Sequence, residues 1–228
     1  MDIATPDWNR PTLEEAQQVI AANAANADYY RQYYMQWEKM YLPQMVEWLS
    51  LIDPGHCIDV GPGNGTLAYW LRQMGWHVYL LDNVPLGTFI TPEFAQREGL
   101  HYYHCSIETD PELPEIAPVD VMVMGQVIGH LKYNPQPTIA RLARQYLKPD
   151  GLFFFHNLDC ERTSGSYAYE SWRVMPEPGS APPVADMNTC RTTLADYREM
   201  MESIFESTEV FAYEGAPILY AICEMPKG

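Results

Sequence analysis

Cys57-Ile-Asp-Val-Gly-Pro-Gly-Asn-Gly-Thr66 is the stretch on which the fold turns. A short β-compatible run enters three glycines at alternate positions, and the residues beyond, Thr66 to Met74, carry helical apolar spacing. Such a strand-turn-helix lets the backbone bend sharply and approach a ligand closely, since glycine adopts dihedral angles that side chains disfavour. A glycine-rich turn alone is weak support, because dinucleotide enzymes place G-x-G-x-x-G there. Two details sharpen the reading. The spacing is G-x-G-x-G, and Asp59 stands two residues before Gly61, where a carboxylate can face a ligand's ammonium group and a dinucleotide site would hold an apolar residue. Asp82 then ends the next apolar run, 17 positions past Gly65, where a carboxylate can accept hydrogen bonds from both ribose hydroxyls. Asp59, Gly61, Gly63, Gly65 and Asp82 together describe an adenosyl site.

Outward from this stretch, short apolar runs alternate with helical patterns, the signature of a parallel sheet covered by helices. Strands are expected at Cys57 to Val60, His77 to Leu81, Tyr102 to Cys105, Val119 to Met124 and Leu152 to Phe155. The intervening helices are expected at Thr66 to Met74, Thr91 to Arg97 and Thr138 to Leu147, with Gly75 and Gly99 as stops. Upstream, Thr12 and Glu15 form a capping box for a helix running toward Tyr41, and Pro43 divides it from a second helix, Gln44 to Ile52. Downstream, a helix at Leu194 to Phe205 leads to strands Glu209 to Tyr213 and Ile218 to Cys223, which Glu214-Gly-Ala-Pro217 joins as a hairpin. The fold class is therefore α/β: a Rossmann-like, doubly wound, seven-stranded sheet with a C-terminal antiparallel hairpin and an N-terminal helical cap. One domain is expected over 1–228, with the cap at 1–53, the cofactor-binding core at 54–156, a substrate-side lid or loop at 157–190, and the final helix and hairpin at 191–228.

The chain has 14 Lys plus Arg against 30 Asp plus Glu, a formal charge of -16 that repels nucleic-acid phosphates and offers nothing to an anionic membrane. The expectation is no nucleic acid and no membrane; the charge suits a neutral or cationic small substrate, or serves solubility alone. The cysteines (Cys57, Cys105, Cys160, Cys190, Cys223) are odd in number and form no C-x-x-C pair, so neither a metal site nor a disulfide framework is expected. A reducing, cytoplasmic location follows, supported by the lack of a basic-apolar leader and of any membrane-length apolar run.

Ile58 to Leu67 resembles motif I of the class I S-adenosylmethionine-dependent methyltransferases, and Val78 to Asn83 resembles their second motif. Tyr103 to Leu113 is similar to the segment that closes over the adenine, with Ser106 where the family commonly has Asp, and Ile107 keeping the apolar contact. A hydroxyl meets the exocyclic amine more weakly than a carboxylate does. Val119 to Leu131 resembles the fourth strand and its loop, and Leu147 to Phe155 the turn into the fifth; the resemblance runs from about Tyr29 onward. It implies S-adenosyl-L-methionine as cofactor, S-adenosyl-L-homocysteine as product, and Asp59, Gly61, Gly63, Gly65, Asp82, Asn83, Ser106, Ile107 and Gln126 as cofactor contacts.

In open α/β sheets the ligand lies beyond the carboxyl ends of the strands, so Gln126, His130, His156, Asn157 and Asp159 are the substrate-side candidates. His130 stands where small-molecule O-methyltransferases of similar layout carry a catalytic histidine, and imidazole suits general-base work. The alternative is that it merely bonds the loop backbone; for His156, packing is the leading reading. Tyr29, Tyr30, Tyr33, Tyr34, Trp37 and Tyr41 form an aromatic stripe that is either core or a cofactor cap, with Tyr34 or Trp37 facing a sulfonium. Tyr167, Tyr169, Trp172 and Arg173 make a second candidate wall, where Arg173 either holds an acceptor's carboxylate or is a solvated charge. The leading function is methyl transfer to an oxygen or nitrogen of a small molecule, and a homodimer is compatible with it. Protein or peptide methylation, and cofactor binding without methyl transfer, are the alternatives; nicotinamide chemistry is disfavoured.

Overall fold

A computed structural model describes residues 11–163, 169, 171–178, 180 and 193–227. Its strands are β1 (His56–Val60), β2 (His77–Asp82), β3 (His101–His104), β4 (Val119–Gly125), β5 (Leu147–Leu158), β6 (Phe205–Ala212) and β7 (Ile218–Pro226). They form one sheet in the order β3-β2-β1-β4-β5-β7-β6. The first five strands pair in parallel, and β7 runs antiparallel to both β5 and β6. The expected α/β class with its terminal hairpin is borne out. After β3 the chain returns to the other side of β1, so the strand order reverses between β1 and β4, where a sheet of this kind opens a crevice.

Side chains alternate across the sheet as the two-residue period requires. Ile58, Met122, Met124, Phe153 and Phe155 face one core with α6 (Pro135–Tyr146) and α7 (Leu194–Ile204). Cys57, Val121, Val123 and Phe154 face the other, with α1 (Leu13–Asn23), α3 (Met35–Leu49), α4 (Thr66–Gln73) and α5 (Pro92–Glu98). Cys57, Cys105 and Cys223 lie inside, and burial pushes their thiols up, to about 11 for Cys105 and about 12 for Cys223. Among the described residues no helix is long and apolar enough to cross a membrane, and no three or more His, Cys, Asp or Glu side chains are grouped so as to hold a metal ion.

The helix boundaries follow local chemistry in most places. Thr12 and Glu15 close the capping box of α1. Thr91 accepts the Phe94 N–H before Pro92, and Gly99 ends α5 at a φ of 66°. Pro43 is the exception, since it lies inside a continuous α3 and divides nothing. A proline inside a helix costs about 3 kcal/mol. Burying Leu42, Met45 and Leu49, at roughly 1.5 to 3 kcal/mol each, outweighs that. The break falls earlier, at Ala24, which bridges to Ile90 while the Ala25 N–H donates to the Phe89 carbonyl at 3.0 Å. A three-residue helix α2 (Ala27–Tyr29) and a π-helical turn, Tyr30–Tyr34, then lead into α3. β5 begins five residues before the expected Leu152, because Leu147 already pairs with Val119 across an irregularity in the register. Half of the expected lid at 157–190, including Tyr167 and Cys190, lies outside the described residues.

Candidate active site

The crevice is a cavity of about 370 Å³ at the carboxyl ends of β1, β2 and β4. Gly61 and Gly63 supply its glycine loop, Asp82 and Asn83 the end of β2, Ser106 and Ile107 the loop after β3, and Gln126 and His130 the loop after β4. The loop cannot bear side chains at two points. A Cβ on Gly61 would lie 2.6 Å from Val127 Cγ2, and one on Gly65 would lie 2.9 Å from Ile90 Cδ1, both at positive φ. Gly63 differs, since a Cβ there would meet nothing within 4 Å.

Eight of the ten site residues expected from sequence therefore share one cavity wall or another. Two do not. Gly65 is the N-cap of α4, and Asp59 is buried (4% exposed) without reaching the cavity surface. Burial first, and the charge of Asp82 second, push the Asp59 carboxyl up to about 7. Burial also raises Asp82, offset by the N–H groups of Val84 and Asn83 that donate to it. Ser106 is held by its own turn: its N–H donates to Asp110 Oδ2 at 2.8 Å, and its Oγ accepts the Thr109 hydroxyl at 2.7 Å.

His130 closes a 3-10 turn, Ile128–His130, exposed at the cavity rim. His156 is buried (1% exposed) and stacks on Tyr41 with ring centroids 4.6 Å apart; burial holds its imidazole down at about 3, hence neutral. Its ring occupies the space that a Cβ on Gly125 would need, and its carbonyl accepts the N–H of Gln126, a non-glycine residue at φ 58°. His156 thus packs beneath the cavity and positions the loop that carries Gln126. Asn157 and Asp159 are buried and line no part of it.

Arg173 is not among the residues that line the cavity. It pairs with Asp196 at 2.5 Å and with Glu199, both on α7, and lies over the Trp172 ring. Two carboxylates one helical turn apart claim its guanidinium, which is why it does not face the cavity. Of the aromatic stripe, Tyr34 and Tyr41 line the cavity, whereas Trp37 is 47% exposed and does not.

The helical wall contributes a residue that sequence reading missed. Glu38 is a buried carboxylate (4% exposed) on the cavity wall, accepting the Tyr30 hydroxyl at 2.6 Å, the Thr66 hydroxyl at 2.8 Å and the Gln17 amide at 3.1 Å. Burial pushes it up despite these donors. Its signal was present, since Tyr30, Tyr34, Glu38 and Tyr41 fall on one helical face, and an acid amid aromatic residues is out of place on a merely apolar stripe. Asn64, also missed, lines the cavity with its Nδ2 buried and unpartnered.

A parallel sheet with its last strand inserted antiparallel, a glycine loop after β1 and an acid closing β2 define a Rossmann-like nucleotide-site protein. The family model described as a methyltransferase domain matches residues 28–204, and the chain belongs to that family. A curated relative, the ubiquinone biosynthesis O-methyltransferase of Rickettsia prowazekii (strain Madrid E), is 31% identical over 114 residues, 49% of this chain and 42% of the relative. The chain spans less than half the length of the curated relatives it matches. Among solved structures, the PH0226 protein of Pyrococcus horikoshii OT3 superposes with a TM-score of 0.62 at 15% identity, covering 88% of this chain and 99% of that one. The 1,6-didemethyltoxoflavin-N1-methyltransferase of Burkholderia thailandensis, solved with bound 1,6-didemethyltoxoflavin and S-adenosylhomocysteine, gives a TM-score of 0.55 at 19% identity, covering 95% of this chain and 91% of that one. At these identities the likeness is one of fold.

Proposed function

We propose that the chain transfers a methyl group from S-adenosylmethionine to an oxygen or nitrogen of a small molecule by in-line displacement, releasing S-adenosylhomocysteine. The observation that carries this is the cavity at the point of strand reversal, where the glycine loop, Asp82 and the Ser106–Ile107 turn converge. The residues present fit the cofactor: Asn64 offers a buried unpartnered donor, and the open space beside Gly63 leaves room for a ligand against the backbone. Asp82 and Asn83 would hold the ribose, and Ile107 and Ser106 the adenine edge; Asp59 would act from behind the wall. Bound there, the cofactor supplies an electrophilic methyl group on a positively charged sulfur.

What remains for the chain is alignment and exclusion of water, which can supply roughly 7 to 11 kcal/mol of a barrier when reactants are well oriented. Tyr34, Tyr41 and Phe89 supply aromatic surface around that space. His130, on the rim, would take a proton from an acceptor that must lose one; His156, buried and held neutral far below its usual range, is unsuited to that task. A cytoplasmic setting belongs to the same reading, supported by Cys57, Cys105 and Cys223, which carry no disulfide. The test is calorimetric titration with S-adenosylmethionine, S-adenosylhomocysteine and NAD, repeated on Asp82→Ala. Micromolar binding of both sulfur ligands, lost in the variant and absent for NAD, is expected; failure of both to bind the native chain overturns the reading.

A further inference from the structure

Three carboxylates, Glu38, Asp82 and Glu108, line the cavity, and among the described lining residues there is no lysine or arginine. Two of the three have evident local duties. Asp82 accepts the N–H of Val84, and Glu108 accepts the N–H groups of Lys132 and Tyr133, both at 2.8 Å. Glu38 is different. Its partners Tyr30, Thr66 and Gln17 come from the π-helical turn, α4 and α1, and all are neutral donors. None of the ion pairs among the described residues includes it.

A network that only tied these elements together would gain nothing from a full negative charge, which is costly to bury without an opposite one. The ionisable groups that act with Glu38 on Tyr34 and Tyr41 are Asp59 and Asp82 from the sheet and neighbouring phenols; His130 is the one basic side chain among the described lining residues and stands on the rim, while His104 and Lys132 act on Asp82 and Glu108. The second observation is Asn64. Its Nδ2 is buried and unpartnered in the same cavity wall, two positions before Thr66 in sequence, and offers a neutral donor to an anionic group of a ligand.

We propose that Glu38 is the counter-charge by which this cavity selects ligands carrying a positive centre, with Asn64 receiving the carboxylate of a zwitterionic end. The inference rests on the adenosyl-site reading above and adds to it a specificity-determining residue from the helical cap. It also assigns the acceptor's class: neutral or cationic at the reacting end, since an anionic acceptor would enter a cavity lined by three carboxylates and, among the described lining residues, by no lysine or arginine.

The test is titration calorimetry of the native chain and Glu38→Gln with three ligands of graded charge: S-adenosylmethionine (net positive), S-adenosylhomocysteine (zwitterionic) and 5′-methylthioadenosine (uncharged). The expected result is a loss of about tenfold or more for S-adenosylmethionine, a smaller loss for S-adenosylhomocysteine, and a change within about twofold for 5′-methylthioadenosine. An equal loss for all three makes Glu38 a purely structural tie and overturns the proposal while leaving the adenosyl site standing. No binding of any of them to the native chain overturns both. Should Glu38→Gln fail to fold, the native chain decides: S-adenosylmethionine must bind more tightly than 5′-methylthioadenosine, and adenosine 5′-phosphate most weakly. Adenosine 5′-phosphate binding as tightly as S-adenosylmethionine sinks the proposal.

Discussion

Each residue of the sheet wall is placed by its own strand end, whereas the helical wall is set by partners far apart in the chain. Gly61, Gly63, Asp82 and Gln126 each sit at or just past a strand end, so the sheet and its neighbouring strands fix their direction. Tyr34 comes from the π-helical turn and Glu38 and Tyr41 from α3 that follows it, but Glu38 is set by Gln17, Tyr30 and Thr66, and Tyr41 by His156. A wall of the first kind tolerates change at its partners and little at its own backbone; a wall of the second kind responds to changes in residues that never touch a ligand.

That contrast can be broken most sharply at Gly125. On the sheet wall, Gly125→Ala forces a methyl group into the His156 ring, so a loss of about 3 kcal/mol is expected in denaturant unfolding. A loss below about 1 kcal/mol would mean the imidazole moves freely and that this wall is softer than its packing suggests. Next, pH separates two buried groups with opposite signs. Asp59 has a folded value of about 7 against 3.8 without burial, so its contribution to stability is present at low pH and lost as pH rises through 7. His156 has a folded value of about 3 against 6.5, so its contribution is present above 6.5 and lost as pH falls toward 3. Without ligand, Asp59→Asn should be more stable than the native chain at about pH 8, and the advantage should fade toward about pH 4. The deficit of His156→Phe should shrink on acidification over that same range. Unfolding midpoints across pH check both, and parallel curves for variant and native chain would refute the assignment.

On the helical wall, Tyr30→Phe removes a hydroxyl that donates to Glu38 and lies 3.0 Å from Thr66 Oγ1, at an expected cost of about 1 to 3 kcal/mol. The same variant should weaken S-adenosylmethionine binding although Tyr30 lines no part of the cavity, whereas an unchanged affinity would show that the two walls behave alike. The smallest effect is expected at Arg173→Ala, whose exposed ion pairs are worth less than about 1 kcal/mol, with binding of the adenosyl ligands untouched. A binding defect there would return Arg173 to the substrate wall.

What could be read from sequence follows the same division. The strand ends and the glycine loop were legible because their signals are local: alternation along a strand, glycine where positive φ is needed, and threonine before a helix. The break at Ala24 was not, because no glycine or proline marks it; the chain turns there because it pairs with Ile90, 66 positions away. Pro43 misled for the converse reason, since a strong local breaker was overruled by apolar burial on three neighbouring turns. Glu38 was legible as a residue type and not as a site, because its three donors converge only once α1, the π-helical turn and α4 are in place. Arg173 likewise could not be assigned until Asp196 and Glu199 were placed on one turn of α7.

The buried thiols turn the molecule into its own clock. Alkylating reagents attack the thiolate, and Cys57, Cys105 and Cys223 are buried and held in the protonated form, so Cys57 and Cys223 must wait for a local opening while Cys105 is reached through the cavity it lines. They sit on the first strand, beside the cavity after the third, and on the strand between β5 and β6, and so time three separate doors. A ligand that fills the cavity should slow the door at Cys105 beyond what it does at Cys223, giving a footprint of occupancy that requires neither turnover nor an identified acceptor.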